Sequence, residues 1–125
     1  MFLNLTNHPS SDGDSWSEEQ RRAAEAIGGT IHDFGFPDVP PQASTDEVVT
    51  LAQTVAASVF KLRPSAALVQ GEFTLTLALV MKLESLGIPC YAATTRRIGK
   101  KAANQNDVST AEYYRFERFR RYVLL

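Results

Sequence analysis

Three short polar segments of the sequence carry side chains that can hold an anion or exchange a proton. The segment at residues 6–10 is Thr-Asn-His-Pro-Ser, the segment at 70–74 is Gln-Gly-Glu-Phe-Thr, and the segment at 94–97 is Thr-Thr-Arg-Arg. Each follows a short, mainly apolar run of the kind that forms a strand. If the three strands end at the same edge of one sheet, these segments meet in one pocket, and this convergence is what indicates a ligand site.

Phosphate is the ligand that the second and third segments favour. Arg96 and Arg97 offer planar guanidinium forks that bind phosphate at two points, and Lys100 follows closely behind them. Gly71 lets a ligand approach the backbone at the start of a helix, where free N–H groups favour anions. Glu72 beside it could bind a ribose hydroxyl or act as a base, or it could simply place favourable negative charge at a helix start.

Candidate groups for proton transfer are few. His8 belongs to a class of side chain that exchanges protons near neutral pH, and Asn7 and Ser10 around it can form hydrogen bonds to a ligand. The other histidine, His32, is expected on the surface of a strand. The single cysteine, Cys90, lies in an apolar run and is expected to be a buried, inert thiol.

Helix and strand signals alternate along the chain. Ser17 with Gln20 forms a capping box that predicts a helix over 18–27, and Ser44 with Glu47 forms a second one ahead of a periodic apolar stretch. The other expected elements are strands near residues 2–6, 30–34, 66–69, 89–93 and 112–124, a third helix over 75–86, and a long loop or short helix over 94–110.

This alternation predicts an α/β fold in a single domain spanning residues 1–125. Right-handed crossovers then give a three-layer, Rossmann-like domain with a mostly parallel sheet of about five strands. With the common strand order 2-1-3-4, the switch point lies between the first and third strands, and ligands bind at such points beyond the carboxyl ends of the strands. The three polar segments should therefore converge there.

Several classes of protein have no support in the sequence. There is no metal-ligand spacing, no phosphate-binding P-loop and no Gly-x-Gly-x-x-Gly fingerprint, so neither a metal nor a nucleotide cofactor is expected. No stretch is apolar enough for a membrane span, and the first residues lack the basic start of a signal peptide. We therefore expect a cytoplasmic protein with no membrane partner.

Charge is divided unevenly between the two halves of the chain. Residues 1–62 contain three Lys or Arg against nine Asp or Glu, whereas residues 63–125 contain ten against five. A basic half indicates an anionic ligand or a partner of opposite pattern, although solvated surface charge is an equal alternative.

Two segments could contact another subunit. The third helix is apolar nearly all round, which favours cover on both sides, as a second copy would give. The tail at 113–122 interleaves aromatic residues with arginines. That pattern can bind single-stranded nucleic acid, but an edge strand or a dimer contact is the favoured interpretation.

Taken together, these motifs resemble those of the small stand-alone CRISPR-associated Rossmann fold proteins. The resemblance rests on Asn-His-Pro-Ser at 7–10 after the first strand, Trp16 shortly after it, Gly-Glu-Phe-Thr-Leu-Thr-Leu-Ala-Leu-Val at 71–80 and Ala-Thr-Thr-Arg at 93–96. Some members of that group are ring nucleases, which bind and linearise the cyclic oligoadenylate messengers of type III CRISPR systems. The polar stretch at 99–109 has no counterpart that we can match.

The resemblance implies a ligand, a reaction and site residues. It implies a homodimer that binds cyclic oligoadenylate, with the tetra-adenylate ring as the expected size, and no DNA. It also implies cleavage without a metal, in which a ribose 2′-hydroxyl attacks the adjacent phosphate. The catalytic residues would be His8, Arg96 and Arg97, and the ligand contacts would be Thr6, Asn7, Ser10, Gly71, Glu72, Thr74, Thr95 and Lys100.

Three other functions remain open at this stage. The same pocket could serve a sensor or sponge that binds cyclic oligoadenylate without cleaving it. The fold could instead bind another nucleotide or a sugar phosphate, outside CRISPR immunity. A structural subunit using the apolar third helix would bind no nucleotide at all.

Overall fold

The computed structural model describes residues 1–98 and 114–125. Lys100 of the predicted site lies outside the described residues, as does most of the expected loop or short helix at 94–110. The elements along the chain are β1 (Phe2–Leu5), α1 (Glu18–Gly28), β2 (Ile31–Asp33), α2 (Thr45–Leu62), β3 (Ala66–Val69), α3 (Phe73–Ser85), β4 (Cys90–Arg97) and β5 (Tyr114–Arg121).

The five strands form one sheet in the order β2-β1-β3-β4-β5. β1 to β4 run parallel, and β5 returns antiparallel to β4 at one edge. The expected Rossmann-like α/β fold with a mostly parallel sheet is therefore confirmed. The strand order reverses between β1 and β3, which is where the sequence placed the switch point.

The sheet is covered on both faces, which is why its central strands are apolar without alternation. β1 and β3 are buried along their whole length. Leu3 and Leu5 pack with α2 and α3 on one face, whereas Phe2 and Leu68 pack with α1 on the other. The three layers follow from this division of one strand's side chains between two cores.

Serine caps set the starts of the first two helices. Ser17 Oγ accepts the backbone N–H of Gln20 at 3.1 Å at the start of α1. Ser44 begins α2 with a complete capping box, since its Oγ accepts from the Glu47 N–H at 3.2 Å and Glu47 Oε1 accepts from the Ser44 N–H at 2.9 Å. Both expected helix starts are thus found, but only the second uses both bonds of the motif.

The fourth strand is longer than the sequence indicated. The sequence predicts a long loop or a short helix from residue 94, but β4 continues to Arg97 because β5 folds back and pairs with residues 94–97. The register shifts between Thr94, opposite Arg118, and Thr95, opposite Phe116, so Glu117 is the extra residue of a β-bulge. Thr94 Oγ1 bonds both the carbonyl and the N–H of Arg118, at 3.0 and 3.3 Å, which ties the two strands beside the bulge.

The C-terminal strand is an edge strand anchored to the core. The Arg121 guanidinium pairs with Glu84 of α3 at 2.7 Å, and the Tyr122 hydroxyl donates to the Val69 carbonyl at 2.7 Å. Phe119 packs with Phe2 and Trp16 beneath α1. These contacts give Phe119, Arg121 and Tyr122 a structural role.

The thiol of Cys90 is fully buried, as expected from its apolar surroundings. Burial raises the pKa of this thiol to about 12, so it stays protonated and unreactive. Within residues 1–98 and 114–125, no helix combines the length and apolarity that crossing a membrane requires.

Helix α3 leaves an apolar stripe uncovered. Leu75, Leu79 and Leu83 face the core and are buried. Phe73, Leu77 and Met81 lie on the other side at intervals of four residues and are 89%, 61% and 56% exposed. An open groove of about 370 Å³ runs between this stripe and the start of α2.

Candidate functional site

A cleft of about 370 Å³ opens at the carboxyl ends of β1, β3 and β4, on the sheet face covered by α1. It lies at the edge where the sequence placed a ligand site. Its lining consists of Thr6, His8, Ser15, Trp16, Gln20, Leu68, Gln70, Gly71, Ala93 and Thr95. Of the residues predicted to act on a ligand, it therefore brings together Thr6, His8, Gly71 and Thr95.

One buried asparagine fixes the loop that carries His8. Asn4 lies in β1 and is fully buried. Its Nδ2 donates to the His8 carbonyl and to Asp33 Oδ1, both at 2.9 Å, and its Oδ1 accepts the Thr6 hydroxyl at 2.8 Å. Because Asn4 and Asp33 are register partners on neighbouring strands, a single side chain joins β1, β2 and the loop.

Asp33 extends this network to the next turn of the loop. Both its carboxylate oxygens accept the backbone N–H of Ser10 at 3.1 Å. Burial alone would raise the pKa of Asp33, but the hydrogen bonds from Asn4 and Ser10 outweigh it and hold the pKa below its usual value. The carboxylate is therefore charged while it holds the loop.

The far side of the loop is fixed by the first helix. Trp16 Nε1 donates to the His8 carbonyl at 2.9 Å, and the Arg21 guanidinium donates to the Ser10 carbonyl. The His8 carbonyl thus has bonds from both Asn4 and Trp16, while its imidazole nitrogens have no hydrogen bond within the described residues. The backbone of His8 is held, and its side chain is left at the cleft.

Thr6 contributes less to a ligand than its position suggests. Its hydroxyl donates to Asn4 and accepts the N–H of His8 at 3.1 Å. A hydroxyl has one proton to donate, so Thr6 has none left for a ligand. Its part in the cleft is structural.

The start of α3 is closed to an anion, contrary to the expectation drawn from Gly71 and Glu72. The Glu72 carboxylate caps the helix, accepting the Leu75 N–H at 2.8 Å and the Thr74 hydroxyl at 2.7 Å. Those bonds hold the pKa of Glu72 below its usual value. The Gly71 N–H donates to Thr76 Oγ1 at 3.1 Å. A phosphate here would meet a carboxylate, so Glu72 and Thr74 act as a cap.

Glycine is required at position 71 by packing. A Cβ on Gly71 would overlap the ring of Phe36, which is buried beneath it. We expect Gly71→Ala to lower the free energy of unfolding by about 1–3 kcal/mol, measured by urea denaturation, because the ring must move.

The matched control for this change is Gly13→Ala, since no atom lies within 4 Å of a Cβ at that position. Gly13→Ala should leave the urea midpoint within error of the parent. Phe36→Leu removes the ring that the new methyl group would overlap. In the double variant, Gly71→Ala should therefore lower the free energy of unfolding by less than it does alone. Equal stability of the two alanine variants would contradict this role of Gly71.

The two arginines of β4 differ in their placement. Arg96 Nε pairs with Glu117 Oε1 at 3.3 Å, next to the bulge. Strand alternation puts Arg97 on the face that carries Ala93 and Thr95, the two residues of β4 that line the cleft. Of the two, Arg97 is therefore the arginine whose strand position faces the cleft side of the sheet.

Asn7 and Ser10 lie beside the cleft without lining it. Asn7 Oδ1 accepts the backbone N–H of Phe36 at 3.1 Å, which joins the loop after β1 to the segment after β2. Ser10 is held through its backbone by Asp33 and Arg21. Both residues position the loop.

Sequence reasoning assigned no ligand role to six residues of the lining, which are Ser15, Trp16, Gln20, Leu68, Gln70 and Ala93. Of these, Gln70 begins one of the three segments that were expected to converge, and Trp16 belongs to the motifs of the resemblance. Gln70 directly follows β3, and its Oε1 accepts the Ala93 N–H at 2.8 Å. Gln20 is read from the sequence as half of a capping box. The position of Gln70 at the end of a buried strand is a sequence feature that indicates a cleft residue. No feature of the sequence indicates that Gln20 is one.

Among the described residues, the lining of the cleft carries hydrogen-bonding groups and no Lys, Arg, Asp or Glu. Hydroxyl, amide and imidazole groups surround an apolar floor made by Leu68 and Ala93. Such a surface suits a neutral ring with donors and acceptors on its edge, such as a nucleobase or a sugar. A negative charge on the ligand would be bound by the arginines of β4 at the rim of the cleft.

The fold and this cleft define a doubly wound α/β domain with its candidate site at the switch point. Residues 1–120 match the model of the family described as the Uncharacterized protein MJ1673 family, and the chain belongs to that family. No curated protein and no solved structure matches the chain.

Proposed function

We propose that the chain binds cyclic oligoadenylate in the switch-point cleft and opens the ring. The observation that carries this proposal is His8, whose backbone is held by Asn4 and Trp16 while its imidazole lines the cleft. The proposal also rests on the sequence resemblance to the CRISPR-associated Rossmann fold proteins. The tetra-adenylate ring is the proposed substrate.

The composition of the cleft supports a nucleoside ligand. Leu68 and Ala93 offer an apolar floor for the flat face of a base. Gln20, Gln70 and Thr95 surround that floor with amides and a hydroxyl that can reach the edge of a base or a ribose. A pocket that is mostly apolar with a few polar groups is the usual form of a small-molecule site.

The proposed reaction uses the substrate's own nucleophile and therefore requires no metal. A ribose 2′-hydroxyl attacks the adjacent phosphorus, the bond to the 5′-oxygen breaks, and a 2′,3′-cyclic phosphate and a 5′-hydroxyl result. His8 transfers a proton, either from the 2′-hydroxyl or to the leaving oxygen. Arg97 stabilises the negative charge that develops on the phosphate.

A homodimer forms part of the same proposal. The exposed stripe of Phe73, Leu77 and Met81 on α3 is the surface that a second copy would cover. If the two-fold axis runs along the strands, both clefts open at the same end and can face one symmetric ring. The cytoplasm is the proposed location, and no DNA is expected as a partner.

A non-catalytic sensor or sponge is the second candidate, and one observation favours it. Among the described lining residues, His8 is the only acid–base group. A sponge needs affinity alone, whereas cleavage benefits from both a base and an acid. The two candidates differ in whether product accumulates beyond the amount of protein present.

The deciding experiment incubates the protein with radiolabelled cyclic tri-, tetra- and hexa-adenylate in the presence of EDTA. Gel retardation reports binding, and thin-layer chromatography reports products. Multiple turnovers to linear species with a cyclic phosphate end would establish a metal-independent ring nuclease. Retardation without conversion would identify a sponge or sensor. Neither signal would refute the proposed function and leave a domain for another nucleotide or sugar phosphate.

A further inference from the structure

Gln20 is a buried residue at the cleft, and its side-chain amide has no hydrogen-bond partner within the described residues. Gln20 is only 9% exposed, and it lines the cleft beside Trp16. Its backbone N–H is the group that bonds Ser17. A buried amide without partners is unfavourable, and native proteins rarely keep one without a reason.

The starts of α1 and α2 have the same capping motif but differ in the position of its Gln or Glu side chain. Ser17 with Gln20 and Ser44 with Glu47 are the same capping motif. At α2, Glu47 turns back and accepts the N–H of Ser44 at 2.9 Å. At α1, the equivalent return bond is absent, and the Gln20 side chain lines the cleft instead. The backbone N–H of Ser17 is the local partner that the motif offers, and the Gln20 amide does not bond it.

Gln70 also lines the cleft, and its amide is already partly used within the protein. Its Oε1 accepts the Ala93 N–H at 2.8 Å, which leaves this oxygen one further lone pair. The Gln20 amide bonds none of the described residues, so its carbonyl and its N–H groups are both available to a ligand. Gln20 is therefore the less committed of the two amides at the cleft.

We propose that Gln20 determines base specificity by binding the adenine edge through two parallel hydrogen bonds. An amide side chain pairs in this manner with adenine, accepting from the N6 amino group and donating to N7. Hypoxanthine has an oxygen in place of the amino group, so its edge offers two acceptors and cannot pair with the amide at both points. The inference rests on the proposed function in that it assumes a nucleotide occupies this cleft.

The test compares binding of adenosine monophosphate, inosine monophosphate and cyclic tetra-adenylate by calorimetry. We expect the parent protein to prefer adenosine over inosine monophosphate by about 5- to 150-fold, the range for one good bidentate base contact. Gln20→Leu should bring that ratio close to one. Gln53→Leu, the same change at an exposed glutamine of α2 away from the cleft, should leave the ratio unchanged.

Stability of the unliganded variant separates recognition from a structural role. Because the amide has no described partner, Gln20→Leu should have a urea midpoint equal to or above that of the parent. A lower midpoint for Gln20→Leu would show that the amide holds the fold and would overturn the inference. An unchanged preference for adenine in Gln20→Leu would also overturn it.

The ligand panel keeps this inference separable from the proposed function. A Gln20-dependent preference for adenosine monophosphate without binding of cyclic tetra-adenylate would support the inference and refute the proposed function. Binding of cyclic tetra-adenylate with no dependence on Gln20 would refute the inference alone. Binding of none of the three ligands by the parent would refute both.

Discussion

Replacing His8 with alanine is expected to slow opening of cyclic tetra-adenylate by about 10²–10⁴-fold, the range for losing one general acid or base. The imidazole lines the cleft, and within the described residues its nitrogens bond no other group. Its loss should therefore remove proton transfer without disturbing the fold. Single-turnover rates measured with protein in excess give the chemical step directly.

Binding and stability measurements show whether His8 acts in the chemistry. The dissociation constant of His8→Ala for the ring should stay within a few-fold of the parent, and its urea midpoint should be unchanged. His32→Ala is the matched control, since His32 is exposed on edge strand β2 and should leave the rate intact. A His8→Ala protein that cleaves as fast as the parent would exclude His8 as a catalytic residue.

The sequence was sufficient to predict the architecture because its signals are local. Ser44 and Glu47 mark a helix start by a bond pattern that spans three residues. The buried strand at 66–69 is an uninterrupted apolar run, which only a covered strand tolerates. The common strand order 2-1-3-4 of such folds agrees with the observed β2-β1-β3-β4, and the place of β5 beside β4 was not predicted.

The length of β4 could not be predicted from the same local signals. Thr94 to Arg97 is polar, and polar residues before a basic stretch are typical of a loop. They extend the strand because β5, 17 residues further along the chain, pairs with them. Such long-range pairing leaves no trace in the segment itself.

The candidate site shows a different limit of sequence reasoning. Strand ends indicated correctly that Thr6, His8, Gly71 and Thr95 lie together. The sequence could not show that the hydrogen-bonding capacity of Thr6 and Glu72 is already used within the protein. It did contain a sign of Asn4, since a lone amide inside an apolar strand needs a buried partner.

That amide leads to the largest expected effect on stability. Asn4→Leu should lower the free energy of unfolding by about 2–4 kcal/mol, because it leaves buried polar groups without partners. The Thr6 hydroxyl loses its acceptor at 2.8 Å and keeps only the longer contact of 3.4 Å with the His8 carbonyl, and Asp33 loses the donor that helps to keep it charged. Urea denaturation at neutral pH measures the change.

A double-mutant cycle with Thr6→Val tests whether the network acts as a unit. Thr6→Val alone should cost about 1–2 kcal/mol, because Asn4 then lacks a partner for its carbonyl oxygen. In the double variant the hydroxyl and the amide are both gone, so the total should be less than the sum by about 1 kcal/mol or more. Thr54→Val makes the same change at an exposed hydroxyl of α2, whose only described bond is to the Thr50 carbonyl, and should change stability little.

Additive costs would show instead that Asn4 and Thr6 stabilise the protein independently. Coupled costs would carry a consequence for the site, since Asn4 and Thr6 both bond the backbone of His8. The hydrogen bonds of Asn4 and Thr6 that stabilise the fold would then be the same bonds that hold the His8 backbone in position at the cleft. In that case Asn4→Leu should reduce the rate of ring opening even under conditions where the variant remains fully folded.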